Sequence, residues 1–323
     1  MEKQFTVIST FAGTGGSSLG YKLAGFRELL ALDWEPHAVE CFKLNFPEVP
    51  CWQKDITRVS AKEILEFCKI NPGDLDVFDG SPPCQGFSIA GKRDVADPRN
   101  DLFNYYVRLI TELQPKVFVM ENVSGMIKGT FKGKFNEIME VLKATTYNVK
   151  CKLMNAKYYN VPQSRERLIF IGTRKDLNIS PSYPIPNNDI ITSKQTLGNI
   201  KSLGIIKKIE NRKILERFNK VKPGKNFAME AKINQNYFNM KKMDFKKPIL
   251  TIIKTPNIVH PTEKRYLSIN ECKLLCSFPE NWQLGNNFNK AWNRLGNAVM
   301  PNMMRAIAEN IRDNILIPWY NKP

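Results

Sequence analysis

Residues 5–20 read FTVISTFAGTGGSSLG. An apolar, β-branched run at 5–10 leads directly into glycines at 13, 15 and 16, and then into a helix-like stretch at 19–24. A strand that turns on glycines into a helix is the opening unit of a doubly wound α/β fold, and the glycines let a ligand approach the backbone closely. The alternation continues outward from this unit. Strand-like runs fall at 29–32, 76–78, 116–120, 148–153 and 168–172, with helix-like stretches at 36–46, 61–70, 101–113 and 135–143. Several of the runs are continuously apolar, as in a parallel sheet covered on both faces. The pattern predicts a Rossmann-like α/β domain with a second, smaller domain beside it. After residue 173 the pattern breaks, and PSYPIPNN (181–188) reads as a linker. Regular structure returns at 268–278, where Ser268 and Glu271 have capping-box spacing, and at 302–316. The expected division is a catalytic domain at 1–180, completed by 286–323, and a recognition domain at 181–285.

Composition narrows the possible partners. The 323 residues carry 48 Lys and Arg against 31 Asp and Glu, a net charge of +17. Such a balance favours a polyanion, usually nucleic acid. Most of the excess lies in residues 192–265, which hold 18 Lys or Arg and 5 Asp or Glu. No apolar run is long enough to span a membrane, and no signal-peptide layout or lipidation box is seen, so a cytoplasmic protein is expected. Seven cysteines without a CxxC, and two histidines without ligand spacing, favour reduced thiols and argue against a metal site.

Five further strings carry chemistry. Asp33 closes the second strand, twenty residues after Gly13, where an acid can hold ribose hydroxyls; Trp34 follows and can stack on a base. Asp55, in KDIT, is placed at the end of a third short strand. The glycine pattern is not GxGxxG, so a nucleoside cofactor is favoured over a dinucleotide. GSPPCQGFS (80–88) fixes Cys84 in a rigid polar turn at a strand end. Core packing explains that setting poorly, and a directed nucleophile explains it well. Glu121, in MENV (120–123), stands at another strand end, where a carboxyl can hold or give a proton. In QSRERL (163–168), alternation places Gln163, Arg165 and Arg167 on one face, and Arg165 could hold an oxygen bidentately. Taken singly, each string has a bland reading as a structural turn, a helix cap or a solvated charge run.

Taken together with RLGNAV (294–299), these strings resemble the DNA cytosine-5 methyltransferases in order and spacing, from Phe5 to about Pro301 apart from the basic segment. The resemblance implies S-adenosylmethionine as methyl donor and S-adenosylhomocysteine as product. Phe11, Gly13, Gly16, Asp33 and Trp34 would bind it, Asp55 and Ile56 would hold the adenine, and Ser81, Pro83, Leu102 and Asn297 would line the rest. It makes Cys84 the nucleophile, Glu121 the group at cytosine N3 and Arg165 the contact to the O2 side. Residues 90–102 match a loop that closes over a flipped-out base, with Lys92 and Arg93 toward phosphates. Gln85, Arg167 and Thr251 would join them in contacting DNA, and the basic segment would be the target-recognition domain, with the duplex in the cleft between domains. Asp33 stands where many members carry Glu, Leu274 where Arg is common, and Ser277 where Gly is frequent. The implied function is methylation of C5 of a cytosine in a specific double-stranded DNA sequence by a monomer, with a cognate restriction endonuclease as a separate partner. Three rivals are an RNA (tRNA) cytosine-5 methyltransferase on the same scaffold, a catalytically dead DNA-binding module, and a nicotinamide oxidoreductase. The long basic segment disfavours the first, the intact Cys84, Glu121 and Arg165 the second, and the glycine spacing the third.

Overall fold

A computed structural model describes residues 3–83, 102–127, 132–230 and 240–322. Two compact units emerge: Met1–Met154, Glu166–Ile185 and Met304–Pro323 form one, and Asn155–Arg165 with Pro186–Met303 form the other.

The first unit is built on a seven-stranded sheet. In chain order its strands are β1 (Thr6–Thr10), β2 (Arg27–Asp33), β3 (Cys51–Gln53), β4 (Val77–Gly80), β5 (Val117–Val123), β6 (Tyr147–Asn155) and β8 (Glu166–Arg174), the short β7 (Gln163–Ser164) standing apart. Their spatial order is β3-β2-β1-β4-β5-β8-β6. The first five are mutually parallel, and β8 runs antiparallel to β5. All five parallel strands therefore end at one edge, the edge where open α/β sheets bind ligands. The crossovers are α1 (Gly16–Leu23), α2 (Pro36–Asn45), α3 (Ala61–Cys68), α4 (Leu102–Leu113) and α5 (Lys132–Lys143). Their starts follow local chemistry. Glu35 accepts from the Ala38 amide at 2.8 Å, with Pro36 in the first turn, and Ser60 caps α3 through Glu63 N. Val7, Phe78, Phe118 and Phe170 lie fully buried in the sheet. Phe78 stacks on Tyr106 of α4, whose hydroxyl donates to the Phe78 and Val119 carbonyls.

The second unit carries α6 (Ser193–Leu197), α7 (Arg212–Arg217), α8 (Phe227–Glu230), β9 (Lys241–Lys242), β10 (Ile249–Leu250), β11 (Ile258–Val259), α9 (Ile269–Leu275) and α10 (Phe288–Asn297). The expected capping box at Ser268 and Glu271 is present at the start of α9. Two small parallel pairings, β10 with β7 and β11 with β9, organise the unit. Ile214, Phe218, Phe227 and Val259 form its local core. Last come α11 (Pro301–Ile311), a π-helical turn at Arg312–Leu316 and α12 (Ile317–Tyr320). From Met304 this run belongs to the first unit. Arg312 donates to Ala24 O, Asn310 to Ser182, and the Tyr320 hydroxyl to Asp76 Oδ1 at 2.7 Å.

The fold is the expected Rossmann-like α/β architecture. The divisions fall at 185/186 and 303/304, where the sequence reading drew 180/181 and 285/286, and residues 155–165 go to the second unit. The physical reason lies in hydrogen bonds inside that unit: Ile249 N donates to Pro162 O, and Gln163 Oε1 accepts from Ile252 N.

Candidate active site

The glycine turn after β1 needs its glycines for stated reasons. Gly13 and Gly15 have φ of 58° and 86°, and Gly15 is the left-handed N-cap of α1. A Cβ on Gly15 would also stand 2.5 Å from the Phe46 ring. Phe11 itself has φ 55°, an uncommon conformation for an aromatic residue. The Asp33 carboxylate organises the turn: Oδ2 accepts from Gly13 N at 2.8 Å, and Oδ1 accepts from Glu35 N at 2.9 Å. Trp34 is 68% exposed, an indole face held open beside that acid. Asp55 does not close a strand. β3 ends at Gln53, and Asp55 instead caps the turn Ile56–Arg58, its Oδ1 accepting from Thr57 N, while Ile56 is buried. Turn glycines, an exposed indole and a carboxylate at the end of β2 fit an adenosine-bearing ligand.

Beside it, β4 runs into Gly80, Ser81, Pro82 and Pro83. A Cβ on Gly80 would lie 2.5 Å from Thr10 Oγ1 and from the Tyr106 ring, so only glycine fits there. Asn122, which the motif reading quoted but gave no role, donates Nδ2 to Pro82 O at 3.2 Å and so braces the turn. Ser81, Pro83 and Leu102 are half-buried. Cys84, Gln85, Lys92 and Arg93 lie outside the described residues.

On β5, Glu121 stands opposite Ile169 of β8, and Val123 opposite Arg167. Arg167 Nε lies 2.6 Å from Glu121 Oε1, both side chains being mostly buried. Here the expectation for Arg165 is corrected. The chain breaks between β7 and β8 at Arg165, so Arg165 and Arg167 do not share a face. Arg165 is 1% exposed and belongs to the second unit, where Nη1 donates to Ile252 O and Nη2 to Gly296 O. Its guanidinium is a structural brace, and Arg167 is the arginine beside Glu121.

Thr251 and Asn297 also fall in the second unit. Thr251 Oγ1 donates to Ser164 O at 2.9 Å, and Asn297, exposed at the end of α10, donates to Asn293 Oδ1. The other described candidates, Phe11, Gly13, Gly16, Asp33, Trp34, Asp55, Ile56, Ser81, Pro83, Leu102, Glu121 and Arg167, are together in the first unit. Among the described residues, no group of three or more His, Cys, Asp or Glu could hold a metal, and no helix is long and apolar enough to cross a membrane.

Comparison with known proteins points to one family. The family model described as C-5 cytosine-specific DNA methylase matches residues 5–313. The Type II methyltransferase M1.HphI of Haemophilus parahaemolyticus is 34% identical over 329 residues, covering 95% of this chain and 86% of the relative. The Type II methyltransferase M.NgoPII of Neisseria gonorrhoeae is 28% identical and covers 96% of both chains. Among solved structures, a candidate DNA modification methyltransferase encoded in an E. coli prophage superposes with a TM-score of 0.80 at 24% identity, covering 97% of this chain and all of the other.

Proposed function

The chain belongs to the C-5 cytosine-specific DNA methylase family and methylates C5 of cytosine in DNA, and we propose that it does so on a flipped-out base through a covalent bond from Cys84. The family uses S-adenosylmethionine, which supplies a methyl group activated on a sulfonium. In this chain the glycine turn, Asp33 and Trp34 would hold it, Asp33 toward the ribose and Trp34 toward the adenine, with Asp55 and Ile56 at the adenine edge.

Cytosine C5 is too weak a nucleophile to take a methyl group unaided. The Cys84 thiolate adds to C6, which moves electron density onto C5. Glu121 serves N3, where a proton stabilises the enamine. Arg167 orients the Glu121 carboxylate and presents guanidinium donors toward O2, the role first expected of Arg165. C5 then takes the methyl group, loses its proton, and Cys84 leaves. A stacked pair cannot admit this geometry, so the base must leave the helix. The observation that carries the residue-level reading is the Glu121–Arg167 contact at the ends of β5 and β8, next to the strand that leads into Cys84.

The basic segment 192–265 holds duplex DNA and reads a specific site, with Thr251 near the target strand. Gln85, Lys92 and Arg93 meet the DNA from the catalytic side. The names of the relatives favour the methylating half of a restriction–modification system acting in the cytoplasm, with the endonuclease as a separate protein. Bisulfite sequencing of DNA from cells expressing the chain tests the reading. The expected result is one short sequence context protected at cytosine in wild type and unprotected in Cys84→Ser. Labelled methyl groups on tRNA instead of duplex DNA would contradict it.

A further inference from the structure

Parallel strands covered on both faces are normally apolar throughout. β4 departs from that rule. Its Phe78 faces α4 and stacks on Tyr106. Asp79 points to the opposite face, toward α1, and is 2% exposed. Burying a lone carboxyl group there is costly unless it gains partners. The partners are on α1: the Tyr21 hydroxyl lies 3.3 Å from Asp79 Oδ1, and the Ser17 side chain hydrogen-bonds the same carboxyl. A second acid repeats the tie, since Glu28 of β2 accepts from Ser18 Oγ at 2.9 Å. Two successive serines and a tyrosine of α1 are thus held by acids on the strands beneath. The glycine turn opens into this helix, and Asp79 lies five residues before Cys84.

We propose that Asp79 is a positioning residue for the methyl donor: it fastens α1, and with it the glycine turn, to the strand that leads into the nucleophile. This deepens the assignment of that turn to S-adenosylmethionine and rests on it.

Among the described residues, the groups that bear on Asp79 are Ser17 and Tyr21 from α1, Glu28 from β2, Glu121 from β5 and, electrostatically from the other face, Tyr106 of α4, and none of them is a cation. Burial, with Glu28 and Glu121 nearby, pushes the Asp79 carboxyl up to about 8, and burial pushes Glu28 up to about 7. The tie is therefore made by a neutral acid. The Ser17 and Tyr21 hydroxyls favour the charged form, but burial outweighs them and no cation among the described residues faces the group, so ionisation favours loosening α1 on β4 to admit water. Donor affinity then falls as the pH rises past the titration of Asp79.

Equilibrium dialysis of labelled S-adenosylmethionine against the full chain, from about pH 7 to about pH 9.5, tests this. Comparing wild type with Asp79→Asn cancels any titration of the ligand, because the amide stays neutral. We expect the two Kd values to agree within about threefold at pH 7, and their ratio to grow about tenfold by pH 9.5. Asp79→Leu, which keeps the branched side-chain skeleton and removes the tie, should bind about tenfold more weakly at every pH while still melting cooperatively. A wild-type-to-Asn ratio that stays constant with pH overturns the proposal, as does Asp79→Leu binding like wild type. If wild type binds no S-adenosylmethionine at any pH, the cofactor assignment fails and this proposal fails with it. If wild type binds and the ratio is flat, only the role of Asp79 fails.

Discussion

Arg165 and Arg167 are separated by one residue and meet different chemistry. Arg165 is closed in by two main-chain carbonyls of the second unit, and Arg167 by the Glu121 carboxylate. Replacing Arg165 by Ala strands the Ile252 and Gly296 carbonyls and should lower stability on the order of 3 kcal/mol, read by chemical denaturation. Replacing Arg167 by Lys, which keeps a cation beside the mostly buried Glu121 carboxylate but loses the planar fork, should leave the melting temperature nearly unchanged. It should lower kcat on the order of a hundredfold with little change in donor affinity, read by single-turnover methyl transfer. The reverse assignment of effects would restore Arg165 to the active site. The two arginines were not separable in the sequence. QSRER alternates as one continuous strand would, and only the break at Arg165 sends its side chain elsewhere. The place of Glu121 near the end of an apolar strand was legible in MENV, although singly that string has a bland reading. Asp79 was not, because DVFDG reads as an apolar strand followed by a turn.

The elements were more legible than their ends. β1, β4, β5 and β8 are the apolar, β-branched runs expected, within a few residues, because a sheet covered on both faces demands such residues. α10 was read only as a motif and not as a helix. Asn289, Asn293 and Asn297 are poor helix formers, yet Phe288, Ala291, Trp292 and Leu295 make a buried stripe that holds the helix in place. The third strand was drawn too long, since Asp55 leaves the ladder to cap a turn. At this scale Gly80 is the position with least latitude. Gly80→Ala brings a methyl group against Thr10 and Tyr106, and should cost about 1–3 kcal/mol and displace residues 81–83, which precede Cys84 in the chain. Thermal melting and methyl transfer should fall together. An alanine variant as stable and active as wild type would mean the turn tolerates displacement.

At the scale of the whole molecule, charge and buried acids set the response to solution conditions. The excess of +17, concentrated in residues 192–265, predicts binding to DNA of unrelated sequence that weakens on the order of a thousandfold between low and physiological salt. A filter-binding series against salt reads the slope, and a flat series would remove the basic segment from the interface. Asp79 and Glu28 have folded pKa values raised to about 8 and about 7. Their contribution to stability is thus complete below the ordinary carboxylate range and is lost as pH rises through those values. Wild type should therefore unfold at progressively lower temperature from pH 5 to pH 9, and Asp79→Asn should flatten the upper part of that fall. In the proposed reading the donor site, the acid–arginine pair and the basic segment all serve one event, methyl transfer to a displaced cytosine to which a thiolate has added. Duplex DNA carrying 5-fluorocytosine at the target position tests that event directly, because fluorine at C5 blocks the proton loss that releases the enzyme. With S-adenosylmethionine present, wild type should form a denaturant-resistant complex of protein plus DNA on a gel, and Cys84→Ser should form none. A wild type that methylates the normal site yet forms no such complex, or a Cys84→Ser variant that still forms it, would contradict the account.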